Sequence, residues 1–369
     1  MRFYILYPER STPGGGHKQM RLLARNLRQL GEESYLLQAP GASDDNYLYD
    51  VEVPGAPFRS NEGNESLHPE DVLLLPEIWL ERNLAATSTW KCRRAVYAQG
   101  GFLALLFRPP GGYAARGIEF MLGVSPYIVA LGHRYLGLSP SRAFHVPYPV
   151  FRGPFAAPLP PQESKRLAVS FMPRKLPEHI ECVRTLVHKR MPDVPWVPID
   201  GLSEREVAQR LSETAVFFST QNGEGFGLPA IEAMSRGSIV CGYRGTGLFP
   251  HPYATPQNGL WARDRSVGPA AARVIDAIEL ARLGGPARER LLSAAQETAA
   301  AFTEERALEA LGVALQCIRT AHYPRPSRQV QRLGVLGHVQ ALRTLQHART
   351  MRRGQDWVQA GVLPTGRAQ

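Results

Sequence analysis

One rhythm constrains the fold of this chain more than any other feature: it runs twice and is interrupted once. Short apolar runs alternate with helical periodicities up to position 146, six prolines crowd positions 147 to 163, and the alternation then begins again. Proline can neither donate to a β-ladder nor continue a helix, so Pro147, Pro149, Pro154, Pro158, Pro160 and Pro161 break both kinds of regular structure. Strands alternating with helices give parallel sheets covered on both faces. In the first half Arg2–Tyr7, Tyr35–Gln38, Asp71–Pro76, Arg94–Gln99, Phe120–Val124 and Phe144–Val146 read as strands. Met20, Leu22, Leu23, Leu27 and Leu30 recur at helical spacing up to Gly31, and a helix is expected over about 126–136. In the second half Arg166–Met172, Trp196–Ile199, Val216–Ser219 and Ile239–Tyr243 read as strands. Helices are expected up to about Lys189, from Ser203 with Glu206 as a capping box, and across 268–320. The expected class is α/β: two Rossmann-like domains, 1–150 and 164–320, a linker at 151–163, and a tail at 321–369. The length of 369 residues suits two domains. Ligands of such sheets sit outside the carboxyl ends of the strands, so the site is expected in the cleft between the domains.

Charge narrows the function. The net charge is +10, but residues 321–369 hold eight arginines against Asp356 alone, which leaves +3 for everything else. The basicity belongs to the tail, no zinc-finger or RNP-type pattern accompanies it, and nucleic acid is not expected as a partner. With 44% hydrophobic and 21% charged residues the chain is not predominantly disordered. Cys92, Cys182, Cys241 and Cys317 lie far apart, which argues against a CxxC site or a secreted disulfide framework. The apolar start ends at Pro8, too short for a signal peptide, and no run of 18 apolar residues occurs, so the expected location is the cytoplasm. The arginine-rich tail is a candidate for peripheral contact with an anionic inner-membrane face.

The richest segment is VFFSTQNGEGFGLPAIEAMSRGSIVCGY, residues 216–243. A strand ends at Ser219, a polar loop carries Glu224, and Gly225-Phe226-Gly227-Leu228 turns into a helix that Pro229 can start and Gly237 can end. Free N–H groups at such a helix start attract phosphate, and Glu224 and Glu232 flank the turn with acceptors suited to sugar hydroxyls. This segment resembles the donor-site motif of retaining GT-B glycosyltransferases of family 4, two glutamates separated by seven residues around a Phe-Gly pair. Here the motif is carried by Glu224, Phe226, Gly227, Leu228, Glu232, Ala233, Met234, Gly237 and Val240.

The resemblance implies a donor that is a nucleotide-diphosphate sugar, with no further cofactor, and an acceptor that is a glycan or a lipid-linked glycan; no metal is expected, because no His, Glu or Cys spacing suits one. It makes 164–320 the nucleotide-sugar domain and 1–150 the acceptor side. It implies that Glu232 holds the ribose, that Glu224 contacts the transferred sugar as the catalytic carboxylate, and that the backbone of Gly225, Phe226, Gly227 and Leu228 approaches the sugar and diphosphate. Arg174 and Lys175 follow the first strand of the second half, where the family places an arginine and, about five residues on, a lysine. Here His179 stands at that later position, and Arg174 and Lys175 reach one diphosphate only if their loop turns. Gly15 and Gly16 match a glycine loop that closes over the donor. His17 and Lys18 beside it are either acceptor contacts or a solvated helix start. Gln99 stands near a histidine of many relatives and is a candidate acceptor-side residue. Residues Gly242 to Thr246 are candidates for the nucleotide pocket, whereas His133 and His145 read as structural. No Asp-x-Asp motif occurs. A catalytically silent sugar-nucleotide or glycan-binding subunit is the rival reading.

Overall fold

The computed structural model describes residues 1–7, 14–38, 58–60, 67–247 and 250–320; the basic tail lies outside them. Its first half carries β1 (Arg2–Leu6), α1 (Gly15–Gln29), β2 (Glu33–Gln38), β3 (Phe58–Ser60), β4 (Val72–Pro76), α2 (Leu80–Ala86), β5 (Arg93–Ala98), α3 (Gly101–Leu106), α4 (Gly112–Ala115), β6 (Ile118–Gly123), α5 (Pro126–Arg134) and β7 (Ala143–His145). The second half carries β8 (Arg166–Phe171), α6 (Pro177–His188), β9 (Trp196–Pro198), α7 (Glu204–Glu213), β10 (Thr214–Thr220), α8 (Leu228–Ser235), β11 (Ile239–Tyr243), β12 (Leu260–Ala262), α9 (Val267–Leu283), α10 (Gly285–Ala300) and α11 (Glu304–Thr320).

Two separate parallel sheets result, in the orders β3-β2-β1-β4-β5-β6-β7 and β12-β11-β10-β8-β9. Helices cover both faces of the central strands, and every residue of β4 and of β11 is buried. The strand order reverses at one place in each sheet, between β1 and β4 and between β8 and β10. At such a switch point the crossover helices leave on opposite faces, and a crevice opens at the carboxyl ends of the two strands.

Local sequence explains the frame around these crevices. Ser203 caps α7, accepting from the Glu206 N–H while the Glu206 carboxylate accepts from the Ser203 N–H, the reciprocal box its spacing predicts. The proline-rich strap between the sheets is pinned where the N–H groups of Val150 and Phe151 both donate to the Phe302 carbonyl. Helix α11 returns to the first sheet: Arg319 bonds Glu32, and Arg93 donates to the Ile318 carbonyl at 3.2 Å. Among the described residues no helix is long and apolar enough to cross a membrane.

Candidate functional site

The two switch points face one another, and a cavity of about 940 Å³ lies between them. Loops after β1, β4 and β5 form one wall, and loops after β8, β9 and β10 form the other. Gly15, Gly16, Gln99, Arg174, Lys175, Glu224, Gly225, Phe226, Gly227, Leu228 and Glu232 all line it. The halves meet in direct contact. A Cβ at Gly15 would lie 2.9 Å from Leu228 Cδ1, and one at Gly225 would strike the Gln99 carbonyl. The glycines are therefore what lets two loops from different sheets close on each other.

The turn after β10 is built by its neighbours. The Glu224 N–H donates to the Gly245 carbonyl at 2.9 Å, and Asp264 accepts from the N–H groups of Gly245 and Gly247 at 2.9 and 2.7 Å. Gly227 occupies the left-handed region at φ 88°, and a Cβ there would collide with the Gln221 amide. Gln221 and Tyr253 both donate to the Gly227 carbonyl, which aims the start of α8 at the cavity. The Phe226 ring is buried. It packs edge-on against Tyr148, Tyr253 and Phe302, leaving its backbone as the part near a ligand.

Residues 173–175 turn, and Leu176 at φ 50° redirects the chain into α6, so Arg174 and Lys175 face the same cavity. Lys175 pairs with Glu224, and no ion-pair partner among the described residues holds Arg174. His179, at the position of the family lysine, instead bonds the Tyr243 hydroxyl at 3.1 Å. Gly242 to Thr246 do not line the cavity; Gly245 acts behind it, as the acceptor for Glu224. The Gln99 amide is occupied at both ends. It donates to the Gly16 carbonyl at 3.1 Å and accepts from Tyr148 at 3.1 Å, bracing the glycine loop against the strap.

Lys18 is not the solvated helix-start residue that its position allows. It is 9% exposed, and its Nζ lies 2.9 Å from Glu232 Oε1 and 3.2 Å from Glu204 Oε1. Arg152 of the strap completes the cluster at 2.8 Å from Glu204. Burial lowers the affinity of Lys18 for its proton, yet Glu232 and Glu204 outweigh it and raise the pKa above its ordinary value. Burial likewise opposes ionisation of Glu204, and Lys18 with Arg152 overrides it, holding that carboxyl below its usual range. Sequence reading missed Glu204, Arg152, Asp264, Gln221, Tyr253 and Glu77. Of these only Glu77 carries a sequence signal, since it follows the apolar run DVLLLP and so falls at a strand's carboxyl end.

No protein-family model matches the chain. An alpha-1,6-glucosyltransferase of Actinobacillus pleuropneumoniae serotype 7 is 34% identical over 87 residues, which is 23% of this chain and 26% of that protein. The chain thus spans about a quarter of the length of that curated relative. Among solved structures, the pneumococcal O-GlcNAc transferase GtfA in complex with UDP and GlcNAc superposes with a TM-score of 0.61 at 12% identity, over 87% of this chain and 99% of that one. Anabaena HepE in complex with UDP and glucose gives 0.59 at 13%, over 86% and 99%. The fold is that of the GT-B glycosyltransferases: two parallel-sheet α/β units with a cleft between them.

Proposed function

We propose that this chain is a glycosyltransferase that moves a hexosyl or deoxyhexosyl group from a nucleotide-diphosphate sugar to an acceptor hydroxyl. The observation that carries the reading is convergence. The glycine loop after β1, the Arg174-Lys175 turn after β8 and the Glu224-to-Glu232 segment after β10 line one cavity of about 940 Å³, at the upper end of the range for small-molecule sites. The GtfA and HepE complexes, which share this fold, contain UDP with a sugar, which makes UDP-glucose the first donor to test.

In this reading the diphosphate lies by Arg174 and the N–H groups at the start of α8, which neutralise the departing charge without a metal. Glu232 takes the ribose through Oε2, since Lys18 holds Oε1. Glu224 leaves Lys175 for the donor sugar, and freed Lys175 turns to the phosphates. The acceptor hydroxyl attacks the anomeric carbon as the bond to phosphate breaks and gives its proton to the departing diphosphate oxygen, on the same face, with retention, as in family 4. The chain then belongs to the assembly of a surface polysaccharide or another glycan, with a glycan or lipid-linked acceptor. The domains divide at 151–163, and the basic tail touches an anionic inner-membrane face.

The test is a panel of nucleotide sugars screened by thermal shift, followed by release of nucleoside diphosphate from the stabilising donor in EDTA. Slow hydrolysis without acceptor is expected of the enzyme. Donor binding with no turnover under any acceptor favours the silent sugar-nucleotide-binding subunit instead, and loss of activity to EDTA that Mg²⁺ restores contradicts the metal-free reading.

A further inference from the structure

Glu77 follows β4 directly, at the carboxyl end of one of the two strands that form the first sheet's switch point. It lines the cavity yet is only 3% exposed. Its Oε1 accepts the Gly100 N–H at 2.7 Å. The backbone N–H groups of Gln99 and of Glu77 itself also bear on the carboxylate, and no side chain of the described residues bonds Oε2. The contrast with its neighbours is sharp. Glu204, Glu224 and Glu232 line the same cavity, and each holds a cation. Glu77 is the most buried of the four and holds none among the described residues.

A buried carboxylate held by backbone N–H groups alone, with no cation among the described residues, costs the fold free energy, and such groups concentrate where a ligand completes them. The place of this one identifies the ligand. Gly100 ties Glu77 to the loop of Gln99, and the Gln99 carbonyl abuts Gly225, next to Glu224. Glu77 therefore stands on the first-half wall beside the junction where that wall touches the donor loop. We propose that Glu77 Oε2 accepts a hydrogen bond from a hydroxyl group of the acceptor and so positions the acceptor against the donor sugar. The inference rests on the glycosyltransferase reading and adds a residue to its acceptor side.

Burial raises the Glu77 carboxyl to about 7 against the pull of backbone N–H groups near Gly100. Its ionisation therefore falls in the working range. The titratable groups packed around it are the phenols of Tyr97, Tyr113, Tyr127 and Tyr148, all pushed upward by burial and silent there. On the facing walls stand His17, Lys18, Lys175 and Glu224.

The experiment measures three quantities on the full chain and on Glu77→Gln: UDP affinity by calorimetry, hydrolysis of UDP-glucose without acceptor, and transfer from UDP-glucose to methyl α-glucoside and n-octyl β-glucoside. The expected result is UDP affinity within twofold and hydrolysis within threefold of wild type, with acceptor kcat/KM lower by about tenfold to a hundredfold, the span of a hydrogen bond to a charged group. Wild-type transfer should rise with pH through about 7, and the variant's profile should lose that rise, which a merely structural role would leave in place. Glu77→Asp, which keeps the charge, serves if the amide fails to fold and should retain the pH rise. Equal acceptor kcat/KM in the variant, a parallel loss of hydrolysis and transfer, or no response of the wild type to either glycoside overturns the proposal. Failure of wild type to bind UDP at all overturns the glycosyltransferase reading first, and is seen before any acceptor is added.

Discussion

Lys18 Nζ lies 2.9 Å from Glu232 Oε1, so a lysine from the first helix of one sheet holds the carboxylate at the helix start of the other. The pair is 214 positions apart in sequence, and it links the assembly of the cleft to the state of the residue proposed to hold the ribose. Because Lys18 holds Oε1, the remaining oxygen of Glu232 is fixed in direction. Lys18→Met leaves that carboxylate buried without a cation, while Arg152 still serves Glu204. Breaking a buried pair in this way costs about 3–5 kcal/mol. A lower urea midpoint is expected, together with weaker UDP binding. Unchanged stability would mean that the cluster is solvated in solution.

Glu224→Gln separates catalysis from folding. The Lys175 and Glu224 side chains are 46% and 20% exposed, and pairs this open to water contribute little to stability. The melting temperature and UDP affinity should therefore hold. If Glu224 steadies positive charge growing on the donor sugar, turnover falls by about two to three decades. Turnover near wild type with the true donor dismisses Glu224 from the chemistry.

Arg174→Ala addresses the diphosphate. With no ion pair to lose among the described residues, the substitution should leave the fold unchanged and weaken UDP binding by about tenfold or more. Uridine, which lacks the phosphates, should bind both forms equally. A calorimetric titration in which UDP is unaffected removes Arg174 from the site.

What could be read in advance and what could not follows from distance along the chain. The turn from Glu224 to Glu232 is local: glycines, a proline at the second helical position and a closing Gly237 at φ 70° all report on their own backbone. The alternation of Val72–Pro76 or Ile239–Tyr243 with helices is local too. Short elements escape, because β3, β12 and α4 span three or four residues and show no period. The run GFLALL of α3 is apolar on every side, and Arg93 and Thr214 extend strands beyond their apolar cores. The charge cluster escapes for another reason. Lys18 meets Glu204 across 186 positions, and nothing near either residue announces the other.

Two glycine substitutions test whether the loops close as described. At Gly225 a methyl group meets the Gln99 carbonyl, a backbone atom that cannot turn aside. At Gly15 it meets the tip of Leu228, 2.9 Å away, which can rotate. Gly225→Ala should therefore push the sheets apart and abolish turnover, whereas Gly15→Ala should keep most of it. Small-angle scattering should show expansion in Gly225→Ala alone. Equal behaviour of the two variants contradicts the contact.

Opposite pH dependences should appear at Glu204 and Glu77, both buried against the same cavity. Lys18 and Arg152, working against burial, hold Glu204 below its ordinary value. Its contribution to stability is thus present above the unfolded carboxyl value, about 4.5, and is lost as pH falls through the folded one. Glu204→Gln should be the less stable protein at pH 7, and the gap should narrow in acid. At Glu77 burial raises the folded value to about 7, so between about 4.5 and 7 the folded state binds more protons than the unfolded state, and stability falls as pH rises. Glu77→Gln keeps the oxygen that accepts from Gly100 and removes the charge. Its melting curve should match wild type near pH 4, rise above it through pH 7, and stay above it by on the order of 1 to 3 kcal/mol. Urea denaturation of both variants at pH 4, 6 and 8 measures the two gaps. A constant gap for Glu77→Gln across that range would mean that the Glu77 carboxyl titrates alike in the folded and unfolded states, and its place as a buried carboxylate without a cation would fall.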